Sequence, residues 1–421
     1  MTTFDPQLLD KYAELTIKVG VNLKKGQRLA LGVTVFGLIG VPVQLVPLVR
    51  ALTKHAYLAG ATYVNVLWED QELDRIRLQY GSPESLDEFP DWRVQSSLAY
   101  METGDAVLMI LAQDPDLMTG QDPAALEKLH SVAATKMGPV FTHIANGSIN
   151  WSVISGSTAE WARKVFPNLS SEAAEAKLWD AIFDACRVKV DDPILTWQQH
   201  MAELEARAVY LNHKAYKTLQ YKAPGTDLRV GLPEGHLWLS GGLVAKNGIK
   251  TVANIPTEEV FTMPHKDRID GMVTATKPLS YSGNLIEAFT LTFEQGRVIK
   301  ATAEKGEAAL HTILDTDEGA RSLGEVALVP HSSPISQSNI LFYNILYDEN
   351  ASNHLALGNA YKFSLNNGTS MSDEAFRAAG GNQSLTHIDF MIGRGNMDVD
   401  GITGEGATEP IMRDGEWAFA V

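Results

Sequence analysis

Arg28-Leu-Ala-Leu-Gly-Val-Thr-Val35, together with the segment Val43–Leu58 that follows it, is the stretch on which the fold class turns. Leu29–Val49 is the most apolar run of the chain, and its length raises the question of a membrane span. Pro42, Pro47, Gln44, Gly32, Gly37 and Gly40 interrupt it. With those breakers the run divides into a buried strand over 28–35, a turn, and a helix over 43–58 with Leu45, Leu48, Val49, Leu52 and Tyr57 as its apolar positions. Two more apolar strands, Ala61–Leu67 and Ala106–Leu111, alternate with helical runs at Asp70–Tyr80 and Pro123–Val132. Continuous apolar strands alternating with helices imply a parallel sheet covered on both faces. No glycine-rich phosphate cradle of the dinucleotide or P-loop type follows any of these strands, so the nucleotide reading lacks its usual support.

Further along, two helices stand out. Ser171 reads as the cap of the first, with Glu172 and Glu175 in its opening turn and Leu178, Trp179, Ile182, Phe183 and Cys186 on one face. Cys186 is there a small buried hydrophobe rather than a nucleophile. Asp192 caps the second helix with Pro193 at its first position, and Trp197, Met201, Leu204, Ala208 and Leu211 form its stripe. Beyond about Leu219 the texture changes to short strands and hairpins, such as Phe289–Phe293 and Val298–Ala303 around a turn containing Gly296. The fold class is therefore two-domain, α/β plus α+β. An open α/β domain with a mainly parallel sheet is expected over 1–191, serving substrate access as the roof of a cleft. A mostly antiparallel catalytic domain is expected over 192–421.

Composition narrows the function. A chain of 421 residues with 45% hydrophobic and 20% charged residues is an ordinary globular one. Its net charge of −16 offers no general attraction to nucleic acid or to an anionic membrane. A single cysteine excludes an intrachain disulfide and any zinc site built on two thiolates. Met1-Thr-Thr-Phe-Asp5 lacks the basic start of a secretory signal, so a cytoplasmic location is expected. HExxH, GxSxG and EF-hand patterns are absent.

What remains is a set of acids and histidines in the second half. Leu385-Thr-His-Ile-Asp-Phe-Met391 reads as a strand, and its period of two puts His387 and Asp389 on the same face, half of a typical metal site. In Asn254-Ile-Pro-Thr-Glu-Glu-Val-Phe-Thr-Met-Pro264, alternation buries one of the adjacent acids Glu258 and Glu259, where a carboxylate is costly unless paired or metal-bound. Glu325 sits at the mouth of the apolar strand Glu325–Val329. His354 lies just before an apolar stretch, with Tyr361 seven residues on.

Taken together, Asn254–Pro264, Gly324–Pro330, Asp348–Tyr361 and Gly380–Asp389 resemble the signature blocks of the aminopeptidase T / aminopeptidase S family of dinuclear metallopeptidases. Gly225–Leu228, Glu234–Trp238, Asp315–Ala320 and Met397–Gly401 match as well. So do Glu14-Leu15, Val19-Gly20, Trp161–Arg163 and Val165–Pro167, and the likeness covers essentially the whole chain. The resemblance implies two divalent ions held by Glu259, Glu325, His354, His387 and Asp389, with Glu325 the first candidate for a bridge. Tyr361 would project into the same site as an oxyanion donor. Glu258 is a lesser candidate, as general base or as anchor for the substrate ammonium.

Such mixed nitrogen and oxygen ligation suits Zn²⁺, Co²⁺ or Mn²⁺. The activity implied is release of N-terminal residues from short peptides with a free α-amine, by a homodimer without nucleic-acid or membrane partners. Another two-metal hydrolase, an amidase for example, and a non-catalytic peptide-binding protein on the same scaffold are the alternatives.

Overall fold

The computed structural model of the chain describes residues 3–33, 40–281 and 284–421, so the last two positions of the expected strand over 28–35 lie outside the described residues. Two compact units result. The first comprises Met1–Gln199 and Gly242–Pro256, the second His200–Gly241 and Thr257–Val421. Among the described residues no helix is long and apolar enough to cross a membrane.

The first unit carries a four-stranded, wholly parallel sheet in the order Tyr63–Val66, Arg28–Leu31, Ala106–Leu111, Trp151–Ser155. Its central strand, Ala-Val-Leu-Met-Ile-Leu, is buried along nearly its whole length, as a strand covered on both faces must be. After one 3₁₀ turn, the helix Val46–Leu58 buries Leu48, Val49, Leu52 and Ala56. Tyr57 does not join that face and is 49% exposed, because the inward row continues from Leu52 to Ala56, four residues on. The helix Ser171–Ala185 is capped one residue earlier than expected, by Ser170, whose Oγ accepts the Ala173 N–H at 3.4 Å. Asp192 Oδ1 accepts the Leu195 N–H at 3.0 Å and opens Pro193–Lys214, whose expected stripe is buried throughout. Cys186 is buried at the end of the preceding helix.

Residues 253–255 add to the outer strand of the parallel sheet. The Val153 N–H donates to the Ala253 carbonyl at 2.7 Å, and the Ile255 N–H donates to the Val153 carbonyl at 2.9 Å. The same segment leads two residues later into Thr257 and the second unit.

Among the described residues that unit holds two large antiparallel sheets and the two-stranded ribbon Leu279–Tyr281/Asn284–Ile286. One has eight strands, among them the hairpin Thr290–Glu294/Arg297–Thr302, turned at Gly296 with φ +84°. The other has five, in the order His387–Met391, His354–Gly358, Leu323–Leu328, Val260–Thr262, Leu239–Ser240. Its two faces differ in kind. Val326 pairs with Leu355, Leu328 with Val260 and Leu355 with Phe390, all fully buried and apolar. Glu325, Ala356 and Asp389 stand opposite one another on the other face, as do Ala327, His354 and Met391, with Gly358 opposite His387. Alternation thus gives the sheet an apolar side and a polar side.

A bulge makes this possible. Leu323 pairs with Leu357 and Glu325 with Ala356, so Gly324 is the extra residue. Leu323 therefore joins the apolar side while Glu325, two residues later, joins the polar one. A Cβ on Gly324 would lie 2.2 Å from the Asn359 carbonyl oxygen and 2.5 Å from that of Gly358, both backbone atoms. Gly324→Ala should accordingly lower stability by about 1–3 kcal/mol, the usual range for overpacking. The loss is read as a lower urea midpoint in the metal-free protein, and an unshifted midpoint would contradict this packing.

Candidate metal centre

The polar face of the five-stranded sheet gathers the acids and histidines that lie far apart in sequence. Glu259 precedes Val260–Thr262 by one residue and approaches His354, with Oε2 3.0 Å from Nε2. His354 opens its strand and is fully buried, with Nε2 also 3.6 Å from Glu325 Oε1. At the other end of the face, His387 Nε2 is 3.4 Å from Asp389 Oδ1. Glu259, Glu325 and His354 each bring one donor atom to within 4.8 Å of the others, and Glu325, His387 and Asp389 do the same. Glu325 belongs to both groups. The five residues expected as ligands are therefore together.

The imidazoles are oriented from behind. His387 Nδ1 lies 2.7 Å from the Asn359 carbonyl oxygen, and His354 Nδ1 lies 3.2 Å from that of Ser352. A carbonyl only accepts, so each Nδ1 carries the hydrogen and each Nε2 is the ring nitrogen turned to the carboxylates. The backbone around Asn359 is held in turn by Asn382, whose amide donates to the carbonyls of Gly319 and Gly358 at 2.8 and 2.6 Å.

Electrostatically the cluster lacks positive charge. Burial raises the pKa of Glu325, an effect that the hydrogen bond with His354 opposes. Burial disfavours charge on His387, yet Asp389 and Glu325 outweigh it and hold the imidazole up at about 10. His354 is likewise held well above the ordinary histidine range against its burial, through Glu259 and Glu325. In Asp389 burial is overcome by the His387 charge, and the carboxyl titrates below its usual value. Glu259 Oε2 and Asp389 Oδ1 are buried, and each faces the Nε2 of one imidazole, His354 and His387 respectively. Buried carboxylates are strongly disfavoured unless cations face them, and two imidazoles offset only part of the charge of Glu259, Glu325 and Asp389. The mixed oxygen and nitrogen donors suit a divalent ion.

Tyr361 is half-buried beside this cluster, its ring centroid 4.8 Å from that of His387. Burial, with the charges of Glu325, Asp389, Glu349 and Glu259, raises its pKa far above the usual tyrosine value, so the phenol keeps its proton. Glu258 is buried as well, but it enters neither donor group. Its Oε2 lies 3.6 Å from His200 Nε2, and that nitrogen is 2.8 Å from the Thr257 carbonyl oxygen.

Two residues at the centre are absent from the set read in the sequence. Burial and the charges of Glu259 and Asp389 push the pKa of Glu349 well up, which places a fourth carboxylate in the same field. Its neighbour Asn350, fully buried, accepts the Glu258 N–H at 2.8 Å and donates to the Leu346 carbonyl at 3.2 Å and to Glu349 Oε1 at 3.4 Å. One amide thereby ties the segment carrying Glu259 to the segment carrying Glu349. The available signal is the polar run Asp348-Glu-Asn350 between Leu346, Tyr347 and Ala351, all of which are buried.

Buried carboxylates and oriented imidazoles in two groups with a common member form a candidate metal centre of mixed oxygen and nitrogen donors. A model of the thermophilic metalloprotease (M29) family matches residues 5–417, and the chain belongs to that family. It is 45% identical over 413 residues to aminopeptidase AmpS of Bacillus subtilis, covering 98% of this chain and 99% of that one. It is 42% identical over 409 residues to aminopeptidase T of Thermus thermophilus, covering 97% and 98% respectively. The solved structure of wild-type AmpT from Thermus thermophilus matches with a TM-score of 0.91 at 42% identity, over 98% of this chain and 99% of that chain. A 2,5-dihydroxypyridine dioxygenase from Pseudomonas putida KT2440 matches with a TM-score of 0.50 at 11% identity, over 99% and 97%, a likeness of fold alone.

Asn350 offers a direct check on the geometry. Residues that orient ligands usually account for about 10–100-fold in metal affinity. Asn350→Ala should weaken divalent-ion binding by that factor in calorimetry. Affinity equal to that of the parent would show that the amide does not hold the centre.

Proposed function

We propose that the two donor groups would hold two divalent ions, Zn²⁺, Co²⁺ or Mn²⁺, with Glu325 common to both groups. On this reading the chain is a metal-dependent aminopeptidase that releases N-terminal residues from short peptides. The observation that carries the proposal is the pair of buried donor groups, Glu259, Glu325, His354 and Glu325, His387, Asp389, which share Glu325 and hold three carboxylates against two imidazoles. Glu259 and His354 serve one ion, His387 and Asp389 the other, and Glu349 supplies a further carboxylate to the same field. When bound, such ions supply Lewis acidity toward water and toward the scissile carbonyl.

The remaining work falls to the chain itself. Asn359 and Ser352 hold the imidazoles in the tautomer that offers Nε2. Tyr361, kept protonated by burial and by the surrounding carboxylates, donates a hydrogen bond to the oxygen that gains charge as the carbonyl becomes tetrahedral. Glu258 stays outside the ligand set, and its carboxylate is assigned as the anchor for the substrate ammonium. A free α-amine is the end of the peptide that an acid-rich centre accepts, so N-acetylated peptides are poor substrates.

Chelation should abolish hydrolysis and a divalent ion should restore it, with elemental analysis approaching two ions per chain. Full activity in a verified metal-free sample would remove the proposal. Tyr361→Phe should retain its metal while kcat falls by about 10²–10³-fold, the usual contribution of one oxyanion donor. An unchanged kcat would take Tyr361 out of the reaction. On a peptide panel, one residue at a time should leave from free N-termini, and internal cleavage of an N-acetylated peptide at a comparable rate would exclude the exopeptidase assignment.

A further inference from the structure

The sheet face that carries the acids and histidines continues sideways into apolar surface. Phe261 lies two residues beyond Glu259 and shares its face, standing opposite Ala327 on one side and Leu239 on the other. Ala327 stands opposite His354. Beside this row, Tyr361 is stacked on Phe363, with centroids 5.0 Å apart and planes 8° apart. Phe363 meets Phe261 edge-on at 6.4 Å and 80°. Three rings thus form an unbroken arc from the imidazole of His387 to the strand that follows Glu259.

All three rings are half-buried, as is Leu239, so each retains accessible surface. Between the arc and the ligands the sheet offers only Ala327 and Ala356, whose side chains are single methyl groups. Accessible aromatic surface beside a few fixed polar groups is the usual make-up of a site for a substrate side chain. The lysine within the arc is already committed. Lys362, between Tyr361 and Phe363, gives its ammonium to Asp373 at 2.8 Å and to the Met371 carbonyl at 3.0 Å.

We infer that Phe261 and Phe363 are specificity-determining residues that receive the side chain of the substrate's N-terminal residue and select large apolar ones. The inference rests on the proposed function for the position of the α-amine, and it adds the class of substrate: peptides beginning with leucine, phenylalanine or a similar side chain. Acidic N-terminal residues, which add charge to an acidic cluster, are disfavoured.

The test is a series of aminoacyl p-nitroanilides, Leu, Phe, Ala and Glu, on the metal-loaded chain, with metal content measured in every variant. The parent should turn over Leu and Phe at least tenfold better than Ala in kcat/KM, and Glu worse than Ala. Differences of this size are what a few methylene groups in an apolar pocket produce. Phe261→Ala and Phe363→Ala should each lower the Leu-to-Ala ratio about tenfold, and Phe261→Leu should recover most of it. The ratio of calorimetric affinities for free leucine and free alanine should fall in parallel, a readout that needs no turnover.

Phe363 touches Tyr361, so a fall in kcat alike for all substrates in Phe363→Ala would be a loss of catalysis rather than of selection, and would count against the inference. A Leu-to-Ala ratio within twofold of the parent in both alanine variants would overturn it, as would a parent that prefers Glu. Absence of hydrolysis of every substrate by the loaded parent would instead refute the proposed function.

Discussion

Burying Glu259, Glu325 and Asp389 side by side on one face of a sheet is unfavourable for the chain alone, and much of the second unit is arranged around that fact. Like charges a few ångströms apart in a dry environment repel strongly. The two imidazoles answer part of the excess, and both are held charged far above their ordinary range by the carboxylates they face. The opposite side of the same strands is closely packed and apolar, Leu355 and Val326 against Leu328 and Phe390. That packing fixes the strands, so the carboxylates have no freedom to move apart. The arrangement is a preorganised receptor for positive charge, with its strain taken up by the core behind it.

The parts legible in sequence are those that depend on local periodicity. A spacing of two brings His387 and Asp389 to one face, and the strand His387–Met391 has that form. Alternation accounts for one buried acid in the Glu258-Glu259 pair, yet both are buried, because Glu258 finds its own setting beside His200 and takes a backbone bond from Asn350. Glu325 reads as the mouth of a strand and is instead well inside one, since the bulge at Gly324 lets the strand begin earlier. Glu349 and Asn350 are not legible at all from periodicity. Their meaning comes from a short helical turn meeting a segment some ninety residues away, which is tertiary information. The assembly of the ligands into one set comes from the resemblance of the blocks, not from spacing.

Likeness of fold extends beyond the family. A dioxygenase with 11% identity shares the overall course of the chain, while relatives with more than 40% identity bear aminopeptidase names. A shared fold therefore does not carry the chemistry, which depends on the side chains placed on it. The first unit fits this view. Its wholly parallel sheet follows from continuous apolar strands and says nothing about what the protein does.

The bulge at Gly324 has a consequence for how this chain tolerates change in length. Leu323 and Glu325 are two residues apart and in an unbroken strand would point the same way. Here they point to opposite sides, so the strand is written in two phases joined at one glycine. Removing that residue would bring the halves back into a single phase, with either a leucine turned toward the acids or a glutamate turned into the core. Neither is admissible, so the strand is intolerant of a one-residue deletion at a position where many strands absorb one by slipping. The phase of the chain, as much as the identity of its residues, is part of what brings Glu325 to the middle of the cluster.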